Sequence, residues 1–269
     1  METREATIEE GPWDAPHTGA GAGGVDAGAD PAAAAADGRA VQAAALPEPG
    51  TDEFAALCRE HDGRPLVYRF VKRLFDVAFS ACVIAIGLVP CLVLSVMIVA
   101  DTKGSPIYSQ IRAGKYGRPF KVWKFRSMVA DSDDVEKYLS AEQMRQWKTE
   151  RKVDDDPRIT RLGSVIRRFS LDELPNFLNV FLGQISVIGP RAITYDELRH
   201  YGARAVDLLS VPQGITGAWQ TGARNDATFE SGERQRIELE YVKCAGLEAD
   251  ARCFFATFGA MFGRDRTGR

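Results

Sequence analysis

From Val77 to Ala100 the chain runs for 24 residues in which only Ser80, Gly87, Pro90 and Ser95 interrupt an apolar sequence. At about 1.5 Å per residue, a straight helix of that length covers the roughly 30 Å hydrocarbon layer of a bilayer. A plain transmembrane span is therefore the simplest reading. Two features favour a helix-break-helix that dips into one leaflet and returns. Pro90, with Gly87 three residues before it, removes a backbone hydrogen bond in mid-run and makes a bend easy there. The flanks are also basic on both sides: Arg64, Arg69, Lys72 and Arg73 precede the run, and Lys103, Arg112, Lys115, Arg118, Lys121, Lys124 and Arg126 follow it. The positive-inside rule asks for asymmetry between flanks, whereas a re-entrant element keeps both in the cytoplasm. Asp76, close to Lys72 and Arg73, can pair with them at the interface. A buried core helix is the remaining alternative, and a soluble domain of this size seldom needs so long an apolar run.

The charge balance divides the chain. Residues 1–50 are rich in Ala, Gly, Pro and Asp, with nine acidic residues against two arginines, a net charge of −7. Such a segment has too little apolar surface to pack and reads as a tail. The remainder carries 32 basic and 28 acidic residues, so a body of charge +4 is hidden within a chain of net charge −3. A basic body suits anionic lipid or nucleotide phosphate. The five cysteines show no metal-ligand spacing, and two, Cys82 and Cys91, lie within the apolar run, which fits reduced, mostly buried thiols and a cytoplasmic face. The first thirty residues offer neither the basic start nor the apolar core of a signal peptide, so no export is indicated.

The stretch Arg167 to Asn179, RRFSLDELPNFLN, sets the adjacent carboxylates Asp172 and Glu173 between a basic pair and an apolar run. Adjacent carboxylates repel, and their cost is least where they meet a cation or a phosphate, which is a site pattern rather than a core pattern. Ahead of it, IYSQI and FKVWKF around a Gly-Lys-Tyr-Gly turn predict a small β-hairpin. Residues 131–150 read as a solvated helix, and Asp154-Asp155-Asp156-Pro157-Arg158 as a loop leading into a helix, with metal binding as a lesser alternative. Downstream, SVIGPR is a strand-like run whose Gly-Pro turn presents Arg191, an arginine suited to grip a phosphate through its planar fork. The glycine-dense GITGAWQTGARN carries Trp219, Gln220, Arg224 and Asn225, groups that could hold a nucleotide or a sugar. Leu247, Phe254, Phe255, Phe258, Met261 and Phe262 fall largely on one helical face before Arg264 and Arg266, fitting ordinary core or a helix on the lipid interface.

The order KRLFD, an apolar break around proline, KFRSM, DDPRIT, SLDELPN, GPR and GITG resembles the bacterial sugar transferase family, the monotopic phosphoglycosyl transferases, over roughly Tyr68 to Phe262. That resemblance implies transfer of sugar 1-phosphate from a nucleotide diphosphate sugar, usually a UDP-sugar, to undecaprenyl phosphate at the start of exopolysaccharide, capsule or glycoconjugate synthesis. It implies Asp172 as the nucleophile of a covalent phosphosugar intermediate and as a contact for an assisting Mg²⁺, with Glu173 near the metal or deprotonating the acceptor. Arg167 and Arg191 match family arginines that contact phosphate. Arg126, Arg168, Arg224, Asn225 and Gln220 are further substrate candidates, and Pro90 is the membrane bend. The fold implied is α+β and mostly helical, a monotopic membrane protein with a re-entrant helix-break-helix and a small β-hairpin. Its parts are an acidic tail at 1–62, the re-entrant region at 63–104, a cytosolic transferase domain at 105–263 and a basic tail at 264–269. The place implied is the cytoplasmic face of the bacterial membrane, with a homo-oligomer as one alternative for its assembly.

Several positions depart from the family pattern: Val89 for serine before Pro90, Ala192 for proline after Arg191, Gln184 for an acid, Val211-Pro212-Gln213-Gly214 for arginine-proline-glycine, and Ala223 for glycine. A catalytically idle scaffold for polysaccharide assembly is the competing reading, and the intact Asp172-Glu173 motif with Arg167 and Arg191 weighs against it. A nucleic-acid binder has no recognition motif to support it, because the positive charge gathers around the apolar run.

Overall fold

The computed structural model describes residues 46–150, 153–222 and 227–262, with side chains left out at 149–150 and 260–262. From Ala45 onward the chain forms one unit. Its first element is α1 (Asp52–Glu60), capped by Thr51, whose hydroxyl accepts from the Phe54 N–H at 3.2 Å. Phe54, Ala55 and Cys58 are buried, and Phe54 and Cys58 pack in one core cluster with Ile193, Leu208, Leu209 and Leu239. The folded body therefore begins just past the acidic stretch at 1–50 and about ten residues before the end of the expected tail at 1–62. A capped, amphipathic turn of helix folds here because α8 (Ala205–Ser210) offers it an apolar surface.

The apolar run lies within α2 (Leu66–Thr102), a helix of 37 residues long and apolar enough to cross a membrane, with Pro90 inside it. Helical backbone continues on both sides of Pro90, so the expected pair of helices forms one element, ended by Lys103 in the left-handed conformation. Its two ends bury side chains in the body, and between them Cys91 and Leu94 pack half-buried against the cluster of Ile98, Phe125 and Ile166. Tyr68, Lys72, Asp76 and Ser80, four residues apart, share the buried face of the first half. Ile98 and Thr102 are buried at the far end, and no described side chain from 81 to 97 is buried. Asp76 does not form the interfacial ion pair expected of it. Its Oδ1 accepts from the Ser186 hydroxyl and the Val187 N–H, both at 2.9 Å, while Lys72 donates to Asp250 at 2.7 Å and to the Ile188 carbonyl at 2.8 Å. Arg73 caps the carbonyls of Val180 and Phe181, each at 2.7 Å.

The predicted hairpin is present: β1 (Ile107–Ala113) pairs antiparallel with β2 (Pro119–Phe125), Ile107 opposite Phe125 and Ala113 opposite Pro119. Gly117 in the turn has φ +75°, and a Cβ there would lie 2.7 Å from the Phe54 ring, so the turn that closes the hairpin also seats α1. Then come the short α3 (Val135–Tyr138), the solvated α4 (Ala141–Glu150), α5 (Arg161–Arg168), a single 3-10 turn over Leu171–Glu173 and α6 (Asn176–Phe181). A second pair, β3 (Ser186–Ile188) and β4 (Gly214–Thr216), is parallel. The connection between them carries α7 (Tyr195–Leu198), with a Thr194–Glu197 capping box, and α8. Last are α9 (Ala218–Gly222), α10 (Glu233–Lys243) and α11 (Leu247–Phe262). In α11, Phe254 packs edge-on against Phe75 and Phe79 of α2, while Phe255 is 72% exposed. One apolar face thus divides between core and surface. All five cysteines are free, as expected, but only Cys58 and Cys253 are buried while Cys82 and Cys244 are exposed, so the set is not mostly buried.

Candidate active site

Asp172 and Glu173 owe their position to two helix boundaries. The helix α5 ends at Phe169, Ser170 turns back with φ +53°, and Pro175 opens α6, leaving a single tight turn that carries both acids. Asn179 then fixes α6 to the hairpin: its amide donates to the Lys121 carbonyl at 2.7 Å and its oxygen accepts from the Trp123 N–H at 3.4 Å. That amide also donates to Gln184 Oε1 at 2.6 Å, so glutamine supplies the acceptor where the family pattern has an acid. The clamp sets the acidic turn over β2 and brings Lys124 Nζ to 3.1 Å from Glu173 Oε1 and 3.6 Å from Asp172 Oδ2.

Burial raises the pKa of the Asp172 carboxyl above the ordinary carboxylate range, with the neighbouring Glu173 adding to it and Lys124 and Arg167 opposing it. A buried carboxylate of this kind gains most when a further positive group arrives. Arg167 is held on the other side of the turn, its Nε donating to the Ser127 hydroxyl at 2.8 Å. Gly163 allows this arrangement, since a Cβ there would sit 1.9 Å from the Ser127 carbonyl oxygen.

Glu173 and Lys124 face a cleft whose other lining residues include Arg112, Asn176, Arg191 and Gly214. Alternation along the hairpin puts Arg112, Val122 and Lys124 on one face, since Arg112 is opposite Phe120 and Lys124 opposite Tyr108. Arg112 donates to Glu197 Oε2 at 2.9 Å. Burial, outweighing Glu197, and the positive charges of Arg191 and Arg234 lower its pKa to about 10. Arg191 follows β3 directly; its N–H donates to Glu238 Oε1 at 3.2 Å and its guanidinium lies 5.9 Å from the Trp219 ring. The buried Asn176 Oδ1 in this cleft has no hydrogen-bond partner among the described residues, an acceptor left for something that enters.

Other expected site residues lie elsewhere. Arg126 is not in the cleft lining: its Nε and Nη1 donate to the carbonyls of Ser105 at 2.8 Å and Ala130 at 3.3 Å, so it ties down the loop after α2. Arg168 lies against the Phe169 ring, away from the carboxylates. Gln220 turns toward the backbone, its amide 3.5 Å from the Ile215 carbonyl. Arg224 and Asn225 lie outside the described residues. Asp156 forms a two-pronged ion pair with Arg158, at 2.8 and 2.6 Å, which occupies the carboxylate that the acidic loop offered to a metal. Sequence reasoning missed Arg112, Lys124 and Asn176 as site residues, although the hairpin alternation carried a signal for the first two. It also missed Arg234, a buried arginine stacked between Trp219 at 4.1 Å and Phe229 at 4.0 Å.

Among the described residues no group of three or more His, Cys, Asp or Glu side chains converges. Mg²⁺ does not require one, because it commonly takes one or two protein carboxylates and completes its shell with phosphate and water. The Asp172-Glu173 pair fits that demand.

Comparison with known proteins identifies the family. A model of the bacterial sugar transferase family matches residues 67–264. The chain is 40% identical over 200 residues to the UDP-galactose-lipid carrier transferase of Erwinia amylovora, covering 73% of this chain and 41% of that one. It is 36% identical over 193 residues to the exopolysaccharide production protein ExoY of Rhizobium meliloti, covering 71% and 84%. It is 38% identical over 200 residues to the undecaprenyl-phosphate galactose phosphotransferase of Salmonella typhimurium, covering 73% and 41%. The chain thus spans about two fifths of the Erwinia and Salmonella relatives and most of ExoY. The matched region includes the hairpin, the acidic turn and the cleft arginines, and on this basis the chain belongs to the bacterial sugar transferase family.

Proposed function

We propose that this protein transfers sugar 1-phosphate from a UDP-sugar to undecaprenyl phosphate at the cytoplasmic face of the bacterial membrane, as a first step in exopolysaccharide or glycoconjugate assembly. The observation that carries this reading is the buried Asp172 beside Glu173 and Lys124, at the edge of a cleft that also holds Arg112 and Arg191. Asp172 attacks the phosphorus that bears the sugar. A carboxylate–phosphorus bond forms, the diphosphate bridge breaks, and UMP leaves with the bridging oxygen. A phosphate oxygen of undecaprenyl phosphate then attacks the same phosphorus, displacing Asp172 as carboxylate and yielding the polyprenyl diphosphate sugar. Two half-reactions keep the two anionic substrates from meeting directly.

Arg112, Arg191 and Lys124 hold the diphosphate and offset its charge, and Arg167 steadies the carboxylate before attack. Glu173 accepts the proton of a monoprotonated acceptor phosphate. When bound by Asp172 and Glu173, Mg²⁺ would supply charge neutralisation at the phosphoryl oxygens. For the membrane segment the reading is re-entrant, with the bend at Pro90. The support is that both ends of α2 bury side chains in one body while no described side chain from 81 to 97 is buried. The deciding experiment is UMP release by the detergent-purified protein with undecaprenyl phosphate, Mg²⁺ and a panel of UDP-sugars. Release with one donor supports the reading, and silence across UDP-sugars and other nucleotide sugars favours the idle scaffold.

A further inference from the structure

A cavity of about 500 Å³ shares no lining residue with the cleft at Glu173. It opens where the linker between α1 and α2 passes the C-terminal ends of α8 and α10, and its walls include His61, Arg64, Arg204, Asp207, Lys243 and Cys244. Its charge is unbalanced. Asp207 accounts for His61 at 2.7 Å. Asp62 faces Arg64 at 2.7 Å, Lys115 at 3.2 Å and Arg69 at 4.0 Å, one carboxylate against three cations. Arg204 and Lys243 have no hydrogen-bonded or ion-paired side-chain partner among the described residues. Two cations on exposed residues therefore line a concave site of ligand size, with no carboxylate paired to them among the described residues.

The rim says what kind of anion fits. Pro65 and Ala245 are lining residues. Leu66, where α2 begins, follows the first directly, and Leu247, where α11 begins, comes two residues after the second. The two helices set out side by side, joined by Tyr68 to Asp250 at 3.0 Å and by the Phe75–Phe254 ring contact at 5.5 Å. Both leave large apolar side chains exposed: Leu66, Val67 and Phe70 on α2, Leu247 and Phe255 on α11. A ligand with a phosphate at one end and acyl chains at the other would place its charge on Arg204 and Lys243 and lay its chains along these helices. We propose that this cavity binds the headgroup of an anionic phospholipid, fixing how deeply the protein sits at the membrane surface. The site stands apart from the transfer chemistry, and its test uses no sugar donor.

Cys244 is exposed in the cavity wall and serves as the reporter. The full-length protein would be placed in nanodiscs of phosphatidylcholine with increasing phosphatidylglycerol, and the rate at which an uncharged maleimide labels Cys244 followed by peptide mass spectrometry. Labelling should slow as phosphatidylglycerol rises. The fraction needed for half-protection should increase about five-fold for each cation removed in Arg204→Ala and Lys243→Ala, and the swap of Arg204→Lys with Lys243→Arg should restore it. A labelling rate that does not respond to phosphatidylglycerol, or equal protection in the double alanine variant, overturns the proposal. Equal protection by soluble glycerol phosphate in phosphatidylcholine discs would also overturn the lipid assignment, giving the cavity to a free phosphate ester.

Discussion

Two lysines of this protein meet carboxylates in opposite ways. Lys72 sits in a closed network: it donates to Asp250 and to the Ile188 carbonyl, and Asp250 also accepts from Tyr68 at 3.0 Å and Tyr241 at 2.5 Å. One carboxylate there is answered by one ammonium and two hydroxyls, which locks the start of α2 to α11. Lys124 instead lies between the two carboxylates of Asp172 and Glu173 at the mouth of a cleft, where burial still outweighs the nearby cations at Asp172. The first arrangement is saturated and holds the fold; the second retains capacity for another charged group, as a reaction site must.

Mutation separates the two most sharply at Asp172. Asp172→Asn should lower UMP release by about 10⁴-fold or more, the scale seen when a nucleophile is removed, with membrane association unchanged in flotation. Retained turnover would end the covalent mechanism. Lys72→Ala should act in the opposite sense, because it leaves a buried carboxylate without its cation. Stability should fall by about 3–5 kcal/mol, read as an earlier thermal unfolding transition in detergent, and any loss of turnover should follow the loss of folded protein.

Gly163→Ala tests how far the acidic turn depends on its support. The added methyl meets the Ser127 carbonyl and pushes α5 outward, carrying Arg167 from its place beside Asp172. We expect a cost of about 1–3 kcal/mol and a fall in turnover of up to roughly 100-fold. A variant with normal kinetics would show that Arg167 needs no such seat.

The smallest effect is the pH dependence of stability. A carboxyl whose pKa is raised by folding binds its proton more tightly in the folded state, so its contribution declines as pH rises from the unfolded value through the folded one. Asp172→Asn removes this penalty. The variant should be slightly more stable than the parent at neutral pH, and the difference should vanish below the unfolded carboxylate pKa. A matched series of melting temperatures against pH checks it, and a variant less stable at pH 7 would contradict a burial-raised Asp172. Turnover of the parent should fall on acidification at a pH above the ordinary carboxylate range, since attack needs the ionised form.

Several elements were legible in the sequence because their signals are local. A 24-residue apolar run, period-two alternation around Gly-Lys-Tyr-Gly, and adjacent acids before a proline each express a pattern within one segment. The limits appear where contact is between segments. Thr51 to Glu60 looked like the end of a tail because the surface that buries Phe54 and Cys58 comes from residues about 150 positions later. Arg126 looked like a phosphate ligand by its place in KFRSM, and the loop after α2 took its guanidinium instead.

Charge and hydrophobic periodicity are properties of neighbours along the chain, so a helix fit for lipid, a basic body and a pair of adjacent acids could be read from the residues alone. Which cations face those acids came from packing between distant segments. Arg112 and Lys124 belong to the hairpin, Arg191 follows a parallel strand pair, and the Asn179 clamp brings the acidic turn to them. Charge acts through distance in space, and the distances between such remote segments are set by packing.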